Sequence, residues 1–165
     1  MIDLWPDEPD TVRRLSRPEH LLVWSMRAIA LGHEECPAVV RAFRAACGAR
    51  GDQMLQTYAV FIKYLAMASP RRLQVHVPGC ICVASDEAAA LAILAAGQRS
   101  LHDRSEIALR RALGDLIGER QDESLILVVQ GVADLLSACG LELPDRTGEA
   151  GARDETGPAQ ACRMH

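Results

Sequence analysis

His76, Cys80 and Cys82 are the residues whose types and spacing could most readily do chemistry in this sequence. Imidazole and thiolate together suit zinc or another soft metal. On one continuous strand these even-numbered positions share a face and could approach one ion. If Pro78-Gly79 is a two-residue turn, the geometry reverses. Val77 then pairs with Cys80 and Val75 with Cys82. Both thiols join the apolar face of Leu73, Val75 and Val77, and His76 points away with Ile81. A Pro-Gly turn does not favour a tight hairpin, so a looser loop also stays open. Free cysteine is among the most buried residue types. Core thiols need no coincidence between distant segments, so they are the preferred reading and no cofactor is expected. The alternative is zinc held by His76, Cys80 and Cys82, or thiol sensing by Cys80 and Cys82.

Other reactive types cluster less informatively. Gly32-His33-Glu34-Glu35-Cys36 could complete a metal site with the first group, yet it reads more simply as a solvated loop between helices. The Asp-Glu pairs at 86–87 and 122–123 stand at predicted helix starts, where acids complement the macrodipole. No Gly-x-Ser-x-Gly, phosphate-binding glycine loop or paired-histidine zinc motif occurs. No catalytic residue is therefore expected, and the reading leans away from an enzyme. Arg99, His102, Arg104, Arg110 and Arg111 give the junction of the fourth and fifth predicted helices a positive bias. A helix-turn-helix would use such a pair, but Asp103, Glu106 and Asp115 dilute the charge.

The elements that must position these residues follow from periodicity. The predicted fold is mainly α, a compact bundle of about six helices with one short β-hairpin or strand near residues 72–84. Ser16-Arg17-Pro18-Glu19 reads as a capping box opening the first helix, which Gly32 ends. Pro37 opens a second, closed by Gly48. Asp52 is read as the cap of a third, apolar over more than half its circumference and stopped by Pro70. Ser85-Asp86-Glu87 opens a fourth. Asp103 or Ser105 begins a fifth, with Ile107, Leu113, Leu116 and Ile117 as its buried face. Asp122 begins a sixth, in which Leu125 to Val129 suggests burial on most sides. The period-two run from Leu73 to Val83 supplies the β element. These boundaries divide the chain into an extended N-terminal segment at 1–15, one helical domain at 16–143 and a flexible tail at 144–165. Trp5 is placed to anchor the first of these.

Composition narrows the class. The chain has 165 residues, 49% of them hydrophobic but only 4% aromatic, so the core must be built from aliphatic side chains. Alanine abundance and a single lysine, Lys63, fit a bacterial GC-rich source. The net charge of −4 is uneven. Asp3, Asp7, Glu8 and Asp10 fall in the first ten residues with no base among them, and the middle of the chain is near neutral. Such a body has no strong field to steer nucleic acid. No apolar run reaches the ~18 to 20 residues of a membrane span. The absence of a secretion signal and of a disulfide spacing pattern places the chain in the cytoplasm, with its thiols reduced.

Pro78-Gly79-Cys80, followed by Ser85-Asp86-Glu87-Ala88 and an Ala/Leu helix ending near Gln98, is similar to a family of small bacterial proteins of unknown function. In them a Pro/Cys-containing segment precedes a Ser/Thr-x-Asp-Glu helix start. The resemblance covers about a quarter of the chain and implies a helical domain, with no activity attached. The expected function is a non-enzymatic interaction or regulatory helical module. Its partner would be another protein or a second copy in a homodimer. A metal or thiol sensor and a weak DNA-binding regulator are the alternatives.

Overall fold

The computed structural model describes residues 11–118, 121 and 123–146. The chain is mainly helical: α1 (Arg17–Ala30), α2 (Pro37–Cys47), α3 (Gly51–Ala68), α4 (Ser85–Asp103), α5 (Ile107–Ile117) and α6 (Glu123–Ala138), with short 3-10 turns at Val12–Arg14 and Gly48–Arg50. None of the described helices is long and apolar enough to cross a membrane. One aliphatic core runs through all of these helices, from Leu22 and Met26 through Phe43, Leu65 and Leu94 to Leu113 and Val132. Helix α4 lies at its centre, packed on both α5 and α6. Phe43, Tyr58 and Phe61 stack as the sole aromatic nucleus among the described residues, and the Tyr58 hydroxyl donates to the Leu22 carbonyl at 2.8 Å. A buried phenol needs such an acceptor.

Local signals account for several ends. The capping box at Ser16 forms, with its N–H donating to Glu19 Oε2 at 2.7 Å and the Glu19 N–H meeting Ser16 Oγ at 3.5 Å. Pro37 opens α2, and Gly48 closes it at φ +58°. Others need correction. Asp52 does not cap α3. The 3-10 turn at Gly48–Arg50 carries the chain into that helix, and Asp52 pairs with Arg44 instead, at 2.7 Å. Ile107, expected in the core, is 73% exposed, because it is the first residue of α5 and the face that helix turns inward is carried by Leu109, Leu113, Leu116 and Ile117. In α6, Leu125, Ile126 and Val129 are buried but Leu127 faces out. Asp122 lies outside the described residues, as do 1–10 and 147–165.

The hairpin expected near 72–84 does not form, and no β-strand occurs among the described residues. The Pro-Gly turn itself is present: Cys80 N–H donates to the Val77 carbonyl at 3.1 Å, and Gly79 has φ +91°. Proline second and a positive-φ glycine third make the type II arrangement, which splays flanking strands. The arms find other partners. Arg27 donates to the carbonyls of Cys80 and Cys82, both at 2.6 Å. Glu87 accepts from the N–H groups of His76 and Ala84, and Asp86 from that of Gln74. Ionised side chains thus satisfy backbone groups that a ladder would otherwise have paired. The only β pairing among the described residues is an isolated antiparallel bridge from Cys82 to Thr11.

Candidate functional site

Two arrangements hold charge inside this molecule, and the first is structural. Arg27 rises from α1 onto the core-facing side and is 3% exposed. Its Nε and Nη2 donate to Glu87 at 2.7 and 2.8 Å, while Nη1 donates to the Cys80 carbonyl and Nη2 also to that of Cys82. Asp86, also buried, receives Arg71 through two bonds of 2.7 and 2.8 Å. Burial alone would raise the Asp86 carboxyl, but Arg71 and the Gln74 N–H outweigh it and hold it below its ordinary range. Here the Asp-Glu pair does more than complement a helix dipole. It fastens the 71–84 loop to the body.

That loop carries the residues singled out for metal chemistry. His76, Cys80 and Cys82 are all half-buried, while Val77 and Ile81 are exposed. The carbonyls of Cys80 and Cys82 are the atoms that converge, on Arg27. Among the described residues, no three His, Cys, Asp or Glu side chains form a group that could hold a metal ion. His33 is exposed, Cys36 is half-buried, and Glu34 pairs with Lys63 at 2.8 Å. Two of the four arginines at the α4–α5 junction are engaged in ion pairs among the described residues. Arg110 pairs with Glu106 and Glu123, and Arg99 pairs with Asp145.

The second arrangement is a cleft of about 560 Å³. Its floor is the facing surface of α4 and α5, where Ala88, Ala89, Ala92, Ala108 and Ala112 stand in place of larger residues. Methyl side chains on two adjacent helices leave the volume that leucines would have filled. One wall is the segment Thr11–Leu15, tied down by the bridge to Cys82 and by Val12 N–H to the Ile81 carbonyl at 2.8 Å. The other is the strap 141–146. Gln98 anchors that strap by donating to the Leu141 carbonyl and accepting from the Leu143 N–H. Arg146 closes it by donating to buried Glu19 at 2.6 Å and to the Arg14 carbonyl at 3.0 Å. Asp145 and Arg146, the last described residues but within the 144–165 segment read as a tail, line this wall and pair with Arg99 and Glu19.

The described lining of the cleft is rich in arginine. Among the described residues, Arg14, Arg99, Arg111 and Arg146 line the cleft with Asp115 and Asp145, and Arg99 and Arg146 are paired, with Asp145 and Glu19. Arg111 is exposed and has no ion-pair partner among the described residues. Among the described residues of the lining, Thr11 and Ser85 are the hydroxyl-bearing side chains, and none is an imidazole or a thiol. Guanidiniums above an apolar floor are equipped to hold an anion and the apolar group attached to it. Sequence reasoning named Arg99 and Arg111 as charge bias only, and missed Arg14 and Arg146. The alanine run from Ala88 to Ala96, relieved only by Leu91, Ile93 and Leu94, was the available signal for a helix face too small to fill its groove. Comparison of the chain with protein-family models, curated proteins and solved structures finds no match.

Proposed function

We propose that this protein is a non-enzymatic regulatory binding module whose working surface is the α4–α5 cleft, and that it takes an apolar group carrying an anion. The observation behind this reading is the alanine floor under an arginine rim in a cleft of about 560 Å³. That volume lies within the ~300–1,000 Å³ typical of small-molecule sites. The lining offers charge and shape but no nucleophile-base pair, which favours binding over turnover. A cytoplasmic setting belongs to the same reading, since Cys36, Cys47, Cys82 and Cys139 stand as free thiols and a reducing compartment keeps them so.

Anilinonaphthalene sulfonate, an anionic apolar dye, tests it. The full chain should enhance the dye's fluorescence saturably. Ala92→Phe, which fills the floor, should abolish that binding, and Arg111→Glu should weaken it. Met67→Ser, on the exposed face of α3, should leave it unchanged. Dye binding that ignores Ala92→Phe would remove the cleft from consideration.

A second reading is self-association through α3. Val60, Tyr64 and Met67 recur at helical spacing on its outer face and are 42%, 40% and 81% exposed. An apolar stripe of this kind suits a two-fold helix pair. Sedimentation should then show a dimer that Tyr64→Glu dissociates, and a concentration-independent monomer would end the idea.

A further inference from the structure

We propose that Cys47 and Cys139 are a reversible disulfide site, at which a small oxidised disulfide closes a clasp between the end of α2 and the end of α6. The two residues are distant in sequence and meet in the fold. Cys47 is the last residue of α2, and Cys139 directly follows α6. Their side chains are hydrogen-bonded to each other, which brings the two sulfurs together without a rearrangement of the helices. The backbone around them is tied as well. Arg50, on the turn that follows Cys47, donates to the Ala138 carbonyl at 3.0 Å. The Cys139 N–H donates to the Leu135 and Leu136 carbonyls at 3.0 and 3.1 Å, and Cys47 packs against the aliphatic core. Both thiols are half-buried, so a small reagent can reach the pair from solvent. None of this depends on what the α4–α5 cleft binds.

The order of events follows from the proton on Cys47. Burial and the bond with Cys139 push Cys47 up to about 12, so it is protonated at neutral pH and does not start the reaction. Cys139 starts it. Its thiolate attacks a low-molecular-weight disulfide, whose S–S bond breaks as a mixed disulfide forms on Cys139. The first small thiol leaves with the proton that Cys139 gave up. Cys47 then attacks the Cys139 sulfur, and the second small thiol leaves with the proton of Cys47. The protein's pair of thiols is oxidised, and the reagent is reduced to two thiols. The second attack is intramolecular, and its proximity offsets the small thiolate fraction of Cys47. In a reducing compartment the clasp is open, and it closes when the pool of small disulfides rises. Closure joins residues 47 and 139 in one long loop, which restricts the unfolded chain. It also fixes the point at which the chain turns, through Gly140 at φ +72°, into the strap that Gln98 anchors.

Trypsin cleavage after Arg44, Arg50, Arg120 and Arg146 puts the two cysteines in separate peptides, each with no other cysteine. The reduced full chain is incubated without denaturant in oxidised glutathione, blocked with N-ethylmaleimide and mapped. A linked pair of these two peptides is expected, formed at a rate independent of protein concentration. Excess reduced glutathione should reopen it, and the closed form should melt at a higher temperature. The single variants separate the roles. In Cys47→Ser the glutathione adduct should accumulate on Cys139. In Cys139→Ser, Cys47 should react at least about tenfold more slowly than a free cysteine, because its thiolate is scarce. Should a serine variant fail to fold, the wild-type map decides alone. Glutathione retained on Cys139 without closure overturns the proposal, as does either cysteine linked to a different one. A linkage that forms in urea and not in the native protein overturns it too, and closure that reduced glutathione cannot undo refutes the switch.

Discussion

Arg27 and Glu87, sixty residues apart, form a doubly hydrogen-bonded ion pair that is almost wholly shielded from water, with side chains 3% and 0% exposed. The pair is expensive to desolvate, and it persists because every remaining atom is used. Arg27 spends its other donors on the 80–82 carbonyls, and Glu87 accepts two backbone N–H groups. Removing one member strands the other. Arg27→Met should therefore cost about 3–5 kcal/mol in urea unfolding, as breaking a buried pair does. Cys80→Ala and Cys82→Ala should each cost less than about 1 kcal/mol, because Arg27 binds their carbonyls and both side chains are only half-buried. A smaller loss in Arg27→Met than in the double cysteine variant would show that the loop is held by its thiols.

Much of the helical framework was legible because its signals are local. Ser16 and Glu19 cap α1 within four residues, and Pro37 and Gly48 bound α2 by their own backbone preferences. The loop at 71–84 was not legible, for a physical reason. Its alternation of Leu73, Val75 and Val77 matches a strand, but pairing depends on what else can satisfy the backbone, and here that is Arg27, a residue distant in sequence. The cleft was hidden for a related reason. Arg14, Arg99, Arg111 and Arg146 come from four separate elements, and the feature that unites them is the absence of bulk at Ala92 and Ala112. Periodicity reports side chains that are present and is silent on space left by small ones.

The crossing of α4 and α6 depends on Gly97. A Cβ there would lie 2.9 Å from Val129 Cγ1 and 3.2 Å from Ala133 Cβ. Alanine gains about 0.5–1 kcal/mol over glycine within a helix, but overpacking a fixed core costs about 1–3 kcal/mol. Gly97→Ala should therefore destabilise, and Val129→Ala in the same chain should recover part of the loss. Gly131→Ala is the internal control. Its Cβ would meet only Thr57 Cγ2, at 4.0 Å, so helix propensity should prevail and raise the melting temperature. Equal effects at the two glycines would mean that the helices separate freely.

Cys47 should be the slowest of the described thiols to alkylate. Burial pushes it up from an ordinary 9.0 to about 12, and a hydrogen bond with Cys139 adds to the shift. Three pH units correspond to an about thousandfold smaller thiolate fraction, and the thiolate is the reacting species. Iodoacetamide followed by peptide mapping should find Cys47 unmodified in the native protein and modified in urea. Native labelling at the rate of a free thiol would contradict this.

Acid sensitivity should come from the two carboxylates that pin the wall and the loop. Burial by itself would raise Glu19, yet the Arg146 guanidinium and the Ser16 backbone and hydroxyl outweigh it and leave Glu19 below its ordinary 4.5. Asp86 is likewise below 3.8, through Arg71 and the Gln74 N–H. A carboxyl depressed in the folded state binds fewer protons there than in the unfolded chain, so stability rises with pH across the interval between the two values. The contribution is complete above the unfolded value and is lost as pH falls through the folded one. Urea midpoints should accordingly hold steady from neutrality to about pH 5 and decline below it. Glu19→Gln and Asp86→Asn should each be less stable than wild type at neutral pH, with the gap narrowing as acid protonates the wild-type carboxylate. Arg146→Gln should reproduce the Glu19→Gln profile, since it removes the partner that lowers that group. The exposed pairs Arg44–Asp52 and Lys63–Glu34 should contribute little, being screened by solvent. A gap between wild type and Glu19→Gln that stays constant down to about pH 3 would show that Glu19 acts through its shape and capping bonds and not through its charge.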